Sequence, residues 1–294
     1  MTKRAWLLFI ALGVLWGMPY LLIRIAVSAV DPLVVAGSRT LLGALLLLPV
    51  ALHRKVLLAG FRKWQWLLAY TLLEINIPWL LLGHAETRLN SSTAGLLLAV
   101  VPLFAALIVT RLGHESLEPR RLLGLGIGFA GVALLVGMDI HFSDLPAVAA
   151  TMVVALCYAI GPIIVDRKLK DVPAIGVVTA SLIVAMLLYA PFAPMVWPEH
   201  IPASAAWSVV GLGVLCTATA FLVFFALIAE AGPARATVIT YVNPAVAIVL
   251  GAVVLSEPLT LGMVIGFPLV IVGSVLGTSR VRTDAQPELA RARD

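Results

Sequence analysis

Long apolar runs alternate with short polar punctuation along this chain, and the run lengths decide its class. Ten runs fall near residues 5–27, 32–52, 64–83, 91–110, 120–137, 144–165, 173–195, 204–228, 234–254 and 259–279, parted by charges, prolines and glycines. At 1.5 Å per residue, about 20 apolar residues cross the ~30 Å hydrocarbon core of a bilayer. The runs are rich in Leu, Ala and Val throughout, without the alternation that marks a strand of an outer-membrane barrel. The pattern predicts an all-α integral membrane protein with ten transmembrane helices.

Composition agrees with the pattern. The 294 residues are 62% hydrophobic and 12% charged, with mean hydropathy +1.08, whereas soluble domains are about half apolar and roughly a quarter charged. The net charge of +5 carries topology. Placing both termini in the cytoplasm puts seventeen of the twenty Lys and Arg on that side, leaving Arg88 in an outer loop and Arg24 and Arg39 within or near helix ends. The outer connections then hold Asp31, Asp139, Asp144, Glu199 and Glu257. That is the positive-inside bias of a multi-pass protein of the inner (plasma) membrane. The basic residues form no contiguous patch for nucleic acid. The N-terminal run is helix-length and lacks a small-x-small cleavage site, so it reads as the first helix. Cys157 and Cys216 stand alone in apolar segments and predict neither a disulfide nor a metal pair.

The chain also repeats itself. Pro102, Glu115, Gly124 and Gly131 recur 142 positions later as Pro244, Glu257, Gly266 and Gly273, and Pro49 matches Pro191 at the same offset. Five runs separate the copies, and an odd number of crossings inverts the second. Two halves of opposite orientation are how many secondary transporters build one site that opens to either side. The expected organisation is a 5+5 inverted repeat: residues 1–140 with helices 1–5, residues 141–280 with helices 6–10, and a polar cytoplasmic tail at 281–294.

A proline within the fourth run, a loop glutamate before the last helix and a glycine-spaced final helix, twice per chain, resemble the EamA-like domain of the drug/metabolite transporter superfamily. Trp16 with Gly17 in the first helix and Arg39 in the second also look like features of that family. The resemblance covers residues 5–279. It implies ten helices, a central cavity and export of small metabolites, most often amino acids, with no cofactor. The second half departs from the pattern at Ser181, the position equivalent to Arg39, so whatever Arg39 does is done on one side only.

Several residues are candidates for the central cavity. Glu74 lies ~15 Å along the third helix, near mid-membrane; every other acidic residue falls in a loop or near a helix end. A charge at that depth costs on the order of 2.5–3.5 kcal/mol, which favours a wet cavity or a partner. It can bind a substrate amino group, carry a coupling proton, pair structurally with Arg39, or stand as a protonated carboxyl hydrogen-bonded to another helix. Arg39 can dock a carboxylate through its planar fork, or snorkel to the interface. Pro102 and Pro244 read as mid-helix kinks that free the carbonyls of Leu98 and Thr240. Trp16, Trp79, Tyr158 and Tyr241 lie deep enough to line a pocket for amphiphilic ligands, while Asn76 and Asn243 add polar groups that need partners. Trp6, Trp64, Trp66, Trp197 and Trp207 fall at the interfaces as belt residues, and Arg24 reads as an interfacial anchor. The glycine faces of helices five and ten serve close packing between helices, and the same device would serve a homodimer.

These features point to a secondary transporter exporting small amphiphilic metabolites, above all hydrophobic or aromatic amino acids, with protons as a possible coupling ion. A multidrug or nucleoside exporter of the same design is the alternative; a channel is a remoter one, against which the two-fold inverted design argues. A membrane-embedded enzyme would need a carboxylate dyad, a nucleophile–base pair or a metal cluster. Glu74 has no second deep acid, and the five histidines are dispersed.

Overall fold

The computed structural model describes residues 2–111, 119–232 and 237–278. Helices account for almost all of them: α1 (Lys3–Val27), α2 (Pro32–His53), α3 (Trp64–Glu86), α4 (Ser91–Arg111), α5 (Pro119–Asp139), α6 (Phe142–Leu169), α7 (Ala174–Tyr189), α8 (Ala203–Ala231), α9 (Asn243–Val254) and α10 (Leu261–Thr278). Seven described helices are long and apolar enough to cross a membrane, and three apolar ones are shorter. Glu115 and the tail at 281–294 lie outside the described residues.

Local chemistry sets the helix starts. Thr2 accepts from the amide of Ala5 at 3.1 Å and begins α1. Asp31 accepts from Leu33 at 2.8 Å and begins α2, with Pro32 in the first turn where its missing amide costs nothing. The helix expected to reach 195 stops at Tyr189. Ala190 still bonds the Met186 carbonyl in helical geometry, but Pro191 brings no amide to continue the ladder, and the chain continues through a 3-10 turn at Ala193–Met195.

Three of the long elements are irregular inside. A π turn at Leu72–Asn76 interrupts α3, and another at Val214–Thr219 interrupts α8, each one 142-residue offset from the other at its first residue. The first precedes Pro78, which cannot donate to the carbonyl of Glu74. In the second, the Thr217 hydroxyl donates to the Leu212 carbonyl at 2.8 Å and competes with the helical ladder. The fourth span breaks outright at Ala99–Val100, and the chain leading into α9 does the same at Val242, after a 3-10 turn at Thr237–Tyr241. Pro102 and Pro244 are therefore not kinks within a continuous helix. Each sits in the first turn of a second helical piece, where no backbone donor is needed.

Three pairs of helices five apart in chain order pack on each other. Contacts join α2 to α7, α4 to α9 and α5 to α10, and α3 packs on α6 as α8 packs on α1. The direct pairs run antiparallel: Gly37 meets Tyr189 while Gly43 meets Leu182, and Gly124 meets Gly277 while Gly131 meets Gly266. Between α5 and α10 the glycines let the two backbones touch. A Cβ added at Gly131 would lie 2.8 Å from the Gly266 carbonyl oxygen, and one added at Gly266 the same distance from that of Gly131. The glycine faces are thus spent on contact within the chain.

The two ends of the bundle are tied by different chemistry. At one end Arg62 and Lys63 hold Asp171 at 3.0 and 2.5 Å, and Thr2 donates to Glu230 at 2.7 Å. The Lys63 hydrogen bond holds the Asp171 carboxyl below the usual range. At the other end Glu257 accepts four hydrogen bonds of 2.5–2.9 Å, from the amides and hydroxyls of Ser91 and Ser92. A carboxylate from the α9–α10 loop thereby caps the N-terminus of α4. Glu257→Ala is expected to cost about 1–3 kcal/mol of stability, the range for an orphaned set of buried donors, read as a lowered melting temperature of the purified protein.

Candidate functional site

The π turns of α3 and α8 and the middle of α2 build a polar centre inside an apolar bundle. Arg39 on α2 is 7% exposed. Its Nε donates to the Thr217 hydroxyl at 2.9 Å, and its guanidinium carbon stands 3.6 Å over the centre of the Trp79 ring. Thr217 can accept from Arg39 because its own proton goes to Leu212. One edge and one face of the guanidinium are thereby occupied. Tyr20, Tyr158, Tyr189 and Cys216 lie within electrostatic reach, yet among the described residues no carboxylate comes within ion-pairing distance of it. A stacked cation without an anion is an unbalanced charge in the low-dielectric interior.

Glu74 faces a different neighbour. Its carboxylate occupies the space over Gly161 of α6 where any side chain would stand, and its Oε2 is buried with no hydrogen-bond partner. Tyr70, Cys157 and Tyr158 lie within its electrostatic reach. Glu74 and Arg39 therefore form no pair, which removes the structural salt bridge as an account of either. Tyr158 lies within electrostatic reach of both Glu74 and Arg39 and packs against the cluster that contains Trp79.

Asn76 completes the α3 turn. Its Nδ2 donates to the Ala185 carbonyl at 3.3 Å, its Oδ1 is buried without a partner, and its backbone carbonyl accepts from the Tyr189 hydroxyl at 2.6 Å. Trp79, Ile75, Tyr189 and Ala218 form one apolar cluster around this centre, with Tyr158 and Phe221 at its edge. Trp16 belongs to a neighbouring cluster. It meets Phe224 at 4.8 Å and Phe221 at 6.1 Å between ring centres, and Phe221 links the two groups.

The break before α9 lies against α1. A Cβ at Gly17 would meet Val246 and the Asn243 carbonyl, and Asn243 Oδ1 is another buried, unpartnered oxygen. Pro244 is buried, and Tyr241 and Pro102 are partly so. The structure thus brings Arg39, Glu74, Asn76, Trp79 and Tyr158 together. It sets Asn243, at the start of α9 beside Pro244, against α1, whose Trp16 reaches this centre through Phe221; Tyr241 lies in the 3-10 turn before α9 and Pro102 at the break of α4.

Sequence reasoning missed Tyr189 and Thr217, whose roles come from partners more than a hundred residues away. It also passed over Glu86 as a helix-end residue; Glu86 is 0% exposed with both carboxylate oxygens unpartnered. Arg24 is less an interfacial anchor than a partner of α3, because its Nη1 donates to the Glu86 backbone carbonyl. An open polar cavity of about 820 Å³ lies at this end, lined by Arg24, Ser28, Thr87, Arg88, Asn90 and Glu257, away from Arg39 and Glu74.

A multi-span helical bundle with unpaired polar groups on interrupted helices is the architecture of a membrane transporter. The EamA-like transporter family model matches residues 3–137 and again 145–278, and the chain belongs to that family. The Bacillus subtilis uncharacterized transporter YvbV is 30% identical, covering 98% of this chain and 95% of its own. The Escherichia coli K12 uncharacterized inner membrane transporter YedA is 30% identical over 82% of this chain and 79% of its own. The fold is shared with a crystal structure at TM-score 0.68 and 21% identity, covering 95% of this chain and 98% of that one. The protein is a multi-pass membrane transporter whose partners are the lipid bilayer and a small-molecule substrate.

Proposed function

We propose that this transporter exports small amphiphilic metabolites, above all hydrophobic and aromatic amino acids, by alternating access through a cavity centred on Arg39. The observation that carries the proposal is the buried guanidinium stacked on Trp79 and, among the described residues, without a carboxylate partner. A substrate carboxylate can take the edge of Arg39 that Thr217 leaves free, and an apolar or aromatic side chain can lie among Trp79, Tyr158 and Phe221. An ammonium or a coupling proton falls to Glu74 across Tyr158. A lone buried cation disfavours cationic drugs.

Ten crossings in a 5+5 inverted repeat, with units at 1–140 and 141–280 and both termini in the cytoplasm of the inner membrane, complete the proposal. Its support is the antiparallel packing of helices five apart, the π turns at one sequence offset, two family matches along one chain, and the lopsided placement of Lys and Arg.

Purified protein in liposomes is expected to move labelled hydrophobic and aromatic amino acids with saturable kinetics. Flux of cationic drugs without flux of amino acids would overturn the substrate assignment. If protons drive export through the central site, Glu74→Gln abolishes the dependence of flux on a pH gradient while leaving substrate exchange intact. Gradient dependence that survives the substitution removes Glu74 as the coupling carboxyl.

A further inference from the structure

Outside the central site, the group that ordinary packing explains least is Glu86. It ends α3, is 0% exposed, and neither carboxylate oxygen has a hydrogen-bond partner among the described residues. An ionised carboxylate in such a place is penalised by several kcal/mol unless a counter-charge or donors compensate. Arg24 is beside it but spends its Nη1 on the Glu86 backbone carbonyl. The groups that face Glu86 electrostatically are Tyr20 and Arg24 from α1, Arg39 from α2 and Glu257 from the α9–α10 loop. None of them bonds its carboxylate oxygens. Glu257 is itself an anion, already saturated by Ser91 and Ser92, and adds repulsion.

Glu86 also stands at a joint. Here α4 and α9 are pressed together, Gly95 against Ala247, and Gly251 against Ser91, Ser92 and Glu257. Past their breaks the two elements lean on different partners: Val101–Arg111 on α6 and α10, Thr237–Tyr241 on α1. Arg24 and Glu257 line the open polar cavity at this end, and Glu86 is not among its lining residues. Glu257, held by Ser91 and Ser92, lines that cavity and lies within electrostatic reach of Glu86, so parting them is the movement that would carry the cavity toward Glu86. A neutral carboxyl tolerates the closed position; a carboxylate needs the water that opening admits.

We propose that Glu86 is an exchangeable proton-binding site at the outer end of the carrier, holding a proton while that end is closed and returning it to the external solution when the end opens. The proposal rests on the carrier reading and adds to it a second carboxyl, distinct from Glu74. The proton passes between external water and one Glu86 oxygen, and no other bond changes. Binding and closure are linked reciprocally: the closed end favours the protonated form, so external acid favours closure and external alkali favours opening.

Infrared spectroscopy of the reconstituted protein, with glutamate carboxyls labelled by carbon-13, tests the occupancy directly. At neutral pH the wild type should show an isotope-shifted carbonyl band of a protonated glutamate that Glu86→Gln removes and Glu74→Gln retains. Absence of any such band in the wild type, or its full persistence in Glu86→Gln, overturns the proposal. For the linkage, Ala94→Cys, buried on the outer part of α4, is labelled from outside with a membrane-impermeant maleimide. Raising external pH should increase labelling more in the wild-type background than in Glu86→Gln, the comparison cancelling the thiol's own reactivity. Equal labelling in the two backgrounds at every pH overturns the linkage. These measurements need no substrate, so a failure of the export assay in liposomes is separately visible.

Discussion

Replacing Arg39 with glutamine is expected to lower flux of a carboxylate substrate about tenfold to hundredfold, the loss of a charge-assisted contact worth ~1.5–3 kcal/mol. The effect should fall on apparent affinity first, because the guanidinium meets the bound substrate. Stability is expected to hold or rise. Arg39 stands buried at 7% exposure, bonded to Thr217, and among the described residues no carboxylate is within ion-pairing distance of it. Removing a desolvated, unpaired charge relieves a cost. Lysine at the same position should recover only part of the flux: it keeps the charge but loses the planar fork and the face that stacks on Trp79. The measurements are concentration-dependent uptake into liposomes and the melting temperature of the same preparations. A variant that melts early while its remaining folded fraction transports normally would make Arg39 a packing residue, and the substrate proposal would lose its central group.

Gly273→Leu should do the reverse, failing in stability before transport is reached. Any side chain there would enter the backbone of α5 at Gly124 and Gly128. Neither partner is a flexible side-chain tip, so the helices must part, and overpacking of this kind costs about 3 kcal/mol or more. Gly126→Leu and Gly137→Leu on the same α5 have nothing within 4 Å of the added carbon. They should leave the melting temperature unchanged or slightly raised, because leucine is a better helix former than glycine by up to ~1 kcal/mol. Chromatography of detergent-solubilised protein after graded heating separates the two classes. Equal tolerance at 126 and 273 would mean that α5 and α10 are not in backbone contact.

The helices and most of their limits were legible because a bilayer imposes one length on every apolar run. Asp31, Pro32 and the basic loops then mark the ends. Glu74 was legible for the same reason: a carboxylate at that depth breaks the pattern. Legibility failed where a residue's meaning depends on what faces it. Pro102 and Pro244 signal disruption in either reading, and only the coordinates distinguish a kink from a break. Glu86 sits at a helix end by sequence and is fully enclosed in space, because helices distant in the chain fold around it. Thr217 carries no pattern signal at all, yet it orients Arg39.

By itself the sequence determined that the protein belongs in a membrane, where most of its helices begin and end, and that a motif recurs at one offset. These follow from solvent transfer, chain geometry and local hydrogen bonding, each read within a few turns of chain. Tertiary structure alone decided that Arg39 meets Trp79 and Thr217 rather than Glu74, and that Glu257 caps α4. Electrostatic and hydrogen-bonding partners are set by distances across the bundle, and those depend on how closely glycine faces let the helices approach.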